Sequence, residues 1–160
     1  VRALLAAPRG EEAAMGEVKV TRRVEAPAEA VFDAWLDPET AGRWLFATPG
    51  GEMVRVAIDA RAGGRFEIVE RRDGEEILHT GVYEAIERPQ RLAFTLQVPR
   101  YSPNMDRVTV AVAPDGDGAV LTLVQGVSEG APASPERIER GWNTILDALA
   151  ATVERGGEEG

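Results

Sequence analysis

An α+β fold, one curved antiparallel sheet of seven strands around a long C-terminal helix, is what this 160-residue chain predicts. Three observations carry the prediction. Between Met53 and Gln125 apolar and polar residues alternate in six short runs, separated by turns and never by a helical stretch, the mark of an antiparallel meander. Ahead of them, another alternating run is followed by two short helical segments. Behind them, Ile138, Trp142, Ile145, Leu149 and Val153 recur at spacings of 4, 3, 4 and 4 residues, one apolar stripe on a helix.

Residues 1–16 are rich in Ala, Gly and Glu without a stable period and read as a tail or arm. Val1 is not a methionine, and Met15, just ahead of the regular patterning, reads as an alternative start. From Glu17 to Glu25, Val18, Val20 and Val24 alternate with polar residues as on a half-buried strand. Pro27 suits a first helical position, and Val31/Trp35 and Phe32/Leu36 pair along a helix that ends at Asp37. Asp37 and Pro38 then open a second short helix as N-cap and first residue, with Ala41, Trp44 and Leu45 as its apolar stripe.

The strands follow in order. Val54, Val56 and Ile58 alternate, then Phe66 and Ile68 after the turn Ala62-Gly63-Gly64. Asp73-Gly74 signals a tight hairpin. The run from Ile77 to Ile86 contains Gly81, which marks a bulge or a close approach. Leu92, Phe94, Leu96 and Val98 alternate up to the loop Pro99–Asn104; Val108, Val110 and Val112 precede the turn Asp115–Gly118, and Leu121 and Leu123 follow it. Ser134 as N-cap, Pro135 and Glu136 start the last helix, and Gly156 and Gly157 are expected to end it. The domain is expected over 17–155, with 156–160 as a tail.

A net charge of −9 argues against nucleic acid or an anionic membrane as partner. With no cysteine, disulfides, thiolate metal sites and cysteine nucleophiles are excluded, which suits a reducing cytoplasm. The longest apolar run, Ala3–Ala7, is too short to span a membrane or to serve as a secretory segment. His79 is the only histidine, and no metal-ligand spacing accompanies it, so no metal and no cofactor are expected. Gly63-Gly64 precedes a strand and is no phosphate loop. The acidic stretch Glu67, Glu70, Asp73, Glu75 and Glu76, around a hairpin turn, reads as a solvated face.

A sheet wrapped around one helix leaves more space than side chains readily fill, so an apolar cavity between the two is expected. The series Glu25-Ala26-Pro27, Val31-Phe32-Asp33-Ala34-Trp35, Asp37-Pro38, Arg43-Trp44, Gly63-Gly64-Arg65-Phe66, Gly81-Val82-Tyr83-Glu84, Arg88-Pro89-Gln90-Arg91-Leu92-Ala93-Phe94-Thr95 and Gly141-Trp142 resembles the START-like, or SRPBCC, helix-grip superfamily, and within it the bacterial group similar to the C-terminal domain of activators of heat-shock-protein ATPase. The resemblance runs from about Val18 to Glu154 and implies a pocket between sheet and helix. By position its wall would comprise Trp44 and Phe46 after the second short helix, Phe66 and Ile68, His79 and Tyr83, Phe94 and Leu96, and Val110 on successive strands, and Trp142 on the last helix. The family shares no catalytic set, so none is assigned.

The function expected is that of a soluble domain that binds a small apolar molecule without catalysis. Two alternatives stand beside it. One is a cyclase- or dehydratase-type enzyme acting on a polyketide or aromatic substrate through His79 and Tyr83, which would have to converge on one point. The other is a co-chaperone-like interaction module, which in the eukaryotic relatives works with a second, N-terminal domain that residues 1–16 are too few to form. Trp35 is expected to be core. Gly141 is expected either to pack closely on the sheet or to make room for a ligand beside Trp142. A homodimer through edge strands is permitted but not required.

Overall fold

The computed structural model describes residues 14–47, 50–101, 103–128 and 134–159. Strand β1 (Ala14–Val24) is followed by α1 (Ala28–Asp33) and α2 (Pro38–Ala41). Six strands come next: β2 (Glu52–Ile58), β3 (Arg65–Arg72), β4 (Glu75–Glu87), β5 (Arg91–Leu96), β6 (Asp106–Asp115) and β7 (Gly118–Ser128). Helix α3 (Pro135–Glu159) closes the chain. All seven strands form one antiparallel sheet in the order β1-β7-β6-β5-β4-β3-β2. The meander therefore runs from one edge back toward β1, and α1 and α2 carry the chain from β1 across to the far edge at β2.

Local chemistry accounts for most of the boundaries. Asp73 and Gly74 both adopt positive φ, at 54° and 79°, as a two-residue hairpin with the right twist requires. The backbone N–H of Arg137 donates to Ser134 Oγ at 3.2 Å, so Ser134 caps α3. Pro27 stands one position before the expected place, as the N-cap of α1, whose six residues stop at Asp33 and leave Trp35 and Leu36 in the following turn. The Asp37 carboxylate makes no bond to the α2 backbone and instead accepts from Thr40 Oγ1 at 2.7 Å.

Three expectations need correction. Val54 does not share the inner face with Val56 and Ile58: the register slips between Met53 and Arg55, Val54 becomes the extra residue of a bulge and is 41% exposed, and Met53 packs inward in its place. Helix α3 continues through Gly156 and Gly157 to Glu159. Strand β1 begins at Ala14, where Ala14 and Gly16 pair with Ser128 and Val127; the rest of the expected arm, residues 1–13, lies outside the described residues.

The inner face of the sheet carries Val18, Val20 and Val24 of β1, Leu121 and Leu123 of β7, Val108 and Val110 of β6, and Leu92 and Phe94 of β5, all buried. Against it α3 turns Trp142, Leu146, Leu149 and Val153, with Ile138 and Ile145 at the margin. Arg22 of β1 pairs with Asp147 of α3, and the N–H of Glu25 donates to Glu154 Oε2 at 2.9 Å, which ties the helix to the β1 edge. A second bulge, at Glu84 between the pairs Tyr83–Phe94 and Ala85–Ala93, keeps both Tyr83 and Ile86 on the inner side.

Two glycines have opposite settings. A Cβ on Gly81 would lie 1.8 Å from the carbonyl oxygen of Thr95 and 2.8 Å from the Phe66 ring, so β4 and β5 approach there as only glycine permits. Gly141, expected to pack on the sheet or to border a pocket, does neither: it is exposed, and a Cβ there meets nothing within 4 Å. One residue on, about 100° further round the helix, Trp142 is buried. Gly81→Ala is expected to destabilise the fold by about 2 kcal/mol or more through overpacking, and Gly141→Ala to stabilise it by roughly 0.5–1 kcal/mol, both read from urea unfolding midpoints.

Candidate functional site

The inner face between β3–β5 and α3 carries a continuous cluster of rings. Seven of the ten residues expected in the pocket wall belong to it: Trp44, Phe46, Phe66, His79, Tyr83, Phe94 and Trp142. Trp35, expected only as core, is its hub: its ring meets Trp44 edge-on at 4.7 Å and lies 6.2 Å from both Phe94 and Trp142. Ile68 and Val110 are fully buried on the inner faces of β3 and β6, and Leu96 is half-buried at the end of β5. Each ring pair in such offset or edge-on arrangements adds about 0.5–1.5 kcal/mol beyond its buried area.

The cluster is assembled from separate elements by simple rules. Alternation along β3 and β4 puts Phe66 and Ile68 beside Gly81 and His79, and Tyr83 continues the same face. Phe94 faces Tyr83 across the β4–β5 pairing. Trp44 is fixed by its indole N–H, which donates to the carbonyl of Ala34 at 3.1 Å. Trp142 is fixed likewise: its N–H donates to Gln125 Oε1 at 2.6 Å, and Gln125 Nε2 donates onward to Asp106 Oδ2 at 2.9 Å.

Phe46 is placed differently. It comes from the turn after α2, with a left-handed backbone at φ 61°, a conformation that costs a bulky residue about 1–2 kcal/mol. Its ring lies flat on His79, at 4.4 Å and 7°, and within 5.8 Å of Trp142 and 6.5 Å of Phe66. Burying that ring contributes roughly 1.5–3 kcal/mol, so packing outweighs the backbone strain only narrowly.

The polar atoms are few. His79 Nδ1 donates to the carbonyl of Ile68 at 3.2 Å; since that oxygen can only accept, Nε2 of the neutral ring is the acceptor. Burial, the largest influence, lowers the His79 pKa to about 4, against smaller opposing effects of the Ile68 carbonyl and the Glu70 carboxylate. Burial likewise raises the Tyr83 pKa. His79 and Tyr83 do share one face of β4, but their rings are linked through others, most directly through Phe46 and Phe66. Trp35 Nε1 is fully buried and, among the described residues, has no hydrogen-bond partner. No three His, Asp or Glu side chains among the described residues gather as a metal site needs.

Two inward polar residues escaped the sequence reading. Glu70, taken as part of a solvated acidic face, is 1% exposed, and its Oε1 accepts from Arg72 Nη2 at 2.5 Å and Nε at 3.1 Å. Gln125 is buried against Trp142. A signal existed in both cases, because Glu70 continues the alternation Phe66, Ile68 and Gln125 continues Leu121, Leu123.

A histidine whose folded pKa lies below its unfolded value of about 6.5 keeps its full stabilising effect above that pH. As pH falls toward 4 the unfolded chain binds a proton that the folded one refuses, so stability is lost across that window. Between pH 7 and pH 4 the wild type is expected to lose up to roughly 3 kcal/mol more than His79→Phe, measured by urea unfolding at each pH. Equal losses would mean that His79 titrates normally in the fold.

The comparisons agree with this architecture. Protein CV1439 from Chromobacterium violaceum is 30% identical, with 86% of this chain and 96% of that one covered and a TM-score of 0.78. The AHSA1-like protein from Aeromonas hydrophila is 25% identical over 89% of this chain and 94% of its own, again at a TM-score of 0.78. A protein from Rhizobium leguminosarum, 22% identical over 88% of this chain and 95% of its own, shares the fold at a TM-score of 0.76. No curated protein matches the chain in sequence. Among the described residues no helix is long and apolar enough to cross a membrane. The family of Activator of Hsp90 ATPase homolog 1-like proteins matches residues 25–154, from the end of β1 to the last buried turn of α3, and the chain belongs to that family, with the START-like helix-grip fold.

Proposed function

We propose that the protein binds a small apolar molecule between the inner face of the sheet and α3, as a holder or carrier and not as a catalyst. The wall proposed for this site is the expected one: Trp44, Phe46, Phe66, Ile68 and His79 toward the far edge, and Tyr83, Phe94, Leu96, Val110 and Trp142 around the centre. The observation that carries the reading is Trp35 Nε1, a buried donor without an acceptor in the middle of a cluster of rings. A buried donor left unpaired costs about 1–3 kcal/mol, and a ligand carbonyl or hydroxyl at that atom would recover it. A site of apolar walls with a few placed polar atoms is the usual form of small-molecule pockets. His79 and Tyr83, each neutral over the physiological range, fit as hydrogen-bonding or stacking groups. A cytoplasmic setting accompanies this reading, since a chain without cysteine draws nothing from an oxidising compartment.

The test is a titration with the neutral probe N-phenyl-1-naphthylamine, together with native mass spectrometry of the freshly purified protein. Saturable probe emission, quenched indole emission and a bound mass released on denaturation are expected. Leu96→Trp, which adds a ring at a half-buried position, is expected to stay folded and to weaken probe binding about tenfold, or 1.4 kcal/mol. A bare chain mass together with no saturable probe signal would remove the reading.

A further inference from the structure

Phe46 differs from its neighbours in the site in where it is attached. His79 and Phe66 belong to paired strands and Trp142 to a long helix, whereas Phe46 hangs from the turn after α2, between the bonds from Leu45 N–H to the carbonyl of Ala41 at 2.8 Å and from Ala47 N–H to the carbonyl of Trp44 at 3.1 Å. Its ring nevertheless lies in the middle of them, flat on His79 and close to Trp142 and Phe66. The turn accepts a positive φ at a bulky residue to put it there. The other non-glycine residue with positive φ among the described residues, Asp73, sits in a hairpin whose twist demands that conformation. At Phe46 the Trp44–Ala47 turn bond closes across the residue, and ring packing adds to what holds it there.

We infer that Phe46 is a stand-in for the ligand: its ring occupies a flat subsite on His79, and a planar, uncharged aromatic ring of the ligand displaces it. This rests on the binding function proposed above and names its ligand class. The stacking surface is an imidazole face, which suits a flat ring better than a branched aliphatic chain. Withdrawal of Phe46 breaks no strand pairing; beyond the one turn bond from Ala47 to Trp44, the incoming ring need replace only the packing that Phe46 provided. Phe46 is then a specificity-determining residue, and the free protein is mostly self-occupied.

The inference takes Phe46 out of the wall proposed above and makes it the occupant of the free site, a difference that can be measured. Truncating a wall residue weakens binding; truncating a stand-in strengthens it, because the fraction of binding-competent protein rises. With N-phenyl-1-naphthylamine, Phe46→Gly, which also suits the positive φ, is expected to lower Kd about tenfold or more, and Phe46→Leu to lower it less. His79→Ala in the Phe46→Gly background should reverse the gain. Circular dichroism melts accompany each variant, and if Phe46→Gly does not fold, Phe46→Leu decides. Wild-type binding with weaker or unchanged Kd in the folded variants would overturn the stand-in role and leave the binding function intact. Absence of saturable binding in the wild type and in both variants would overturn the two together.

Discussion

A long helix laid over a curved apolar sheet can slide and rotate unless some side chain meets specific partners on the other side. Here that side chain is Trp142. Its indole N–H needs an acceptor once buried, and Gln125 on β7 supplies one that is itself held by Asp106. The same ring contacts Trp35 and Phe46, so a shift of one helical turn would cost the hydrogen bond and the ring contacts together. Leu146, Leu149 and Val153 then fall on the sheet, and Asp147 and Glu154 reach β1 and its exit. The position of α3 sets the size and shape of everything between helix and sheet.

The sheet's contribution is where it departs from regularity. The extra residues Val54 and Glu84 and the close approach at Gly81 bend β2 and β4 while keeping the apolar residues on one side. Without them, alternation would carry Ile58 or Ile86 to the outer face. The far half of the sheet instead turns Phe66, Ile68 and His79 toward the turn after α2, and Phe46 is buried in that corner.

The fold hosts many unrelated activities, so membership in the family leaves the ligand to the details of the site. Among the described residues those details are sparse and specific: one indole N–H without a hydrogen-bond partner, one neutral imidazole covered by a phenyl ring, one phenol, and a buried carboxylate matched by Arg72. A ligand bound there, as proposed, would be selected by shape first and by hydrogen-bonding groups second.

Hydrophobic period, turn residues and caps are local properties, and the sequence determined what depends on them: the number and order of strands, the two short helices, the hairpin at Asp73-Gly74, the cap at Ser134 and the buried stripe of α3. Alternation even held the clue to Glu70 and Gln125, whose polarity alone suggested solvent. Other features were decided only by tertiary structure. Whether Val54 or Met53 faces inward depends on a bulge, which is set by pairing with β3. Gly141 has no local reason to face water; the rotation that Trp142 imposes on α3 puts it there. That Trp35 joins the rings, and that Phe46 stacks on His79 from a left-handed turn, follows from contacts between residues far apart in the chain, whose combined packing exceeds the local backbone cost that the sequence alone would charge against them.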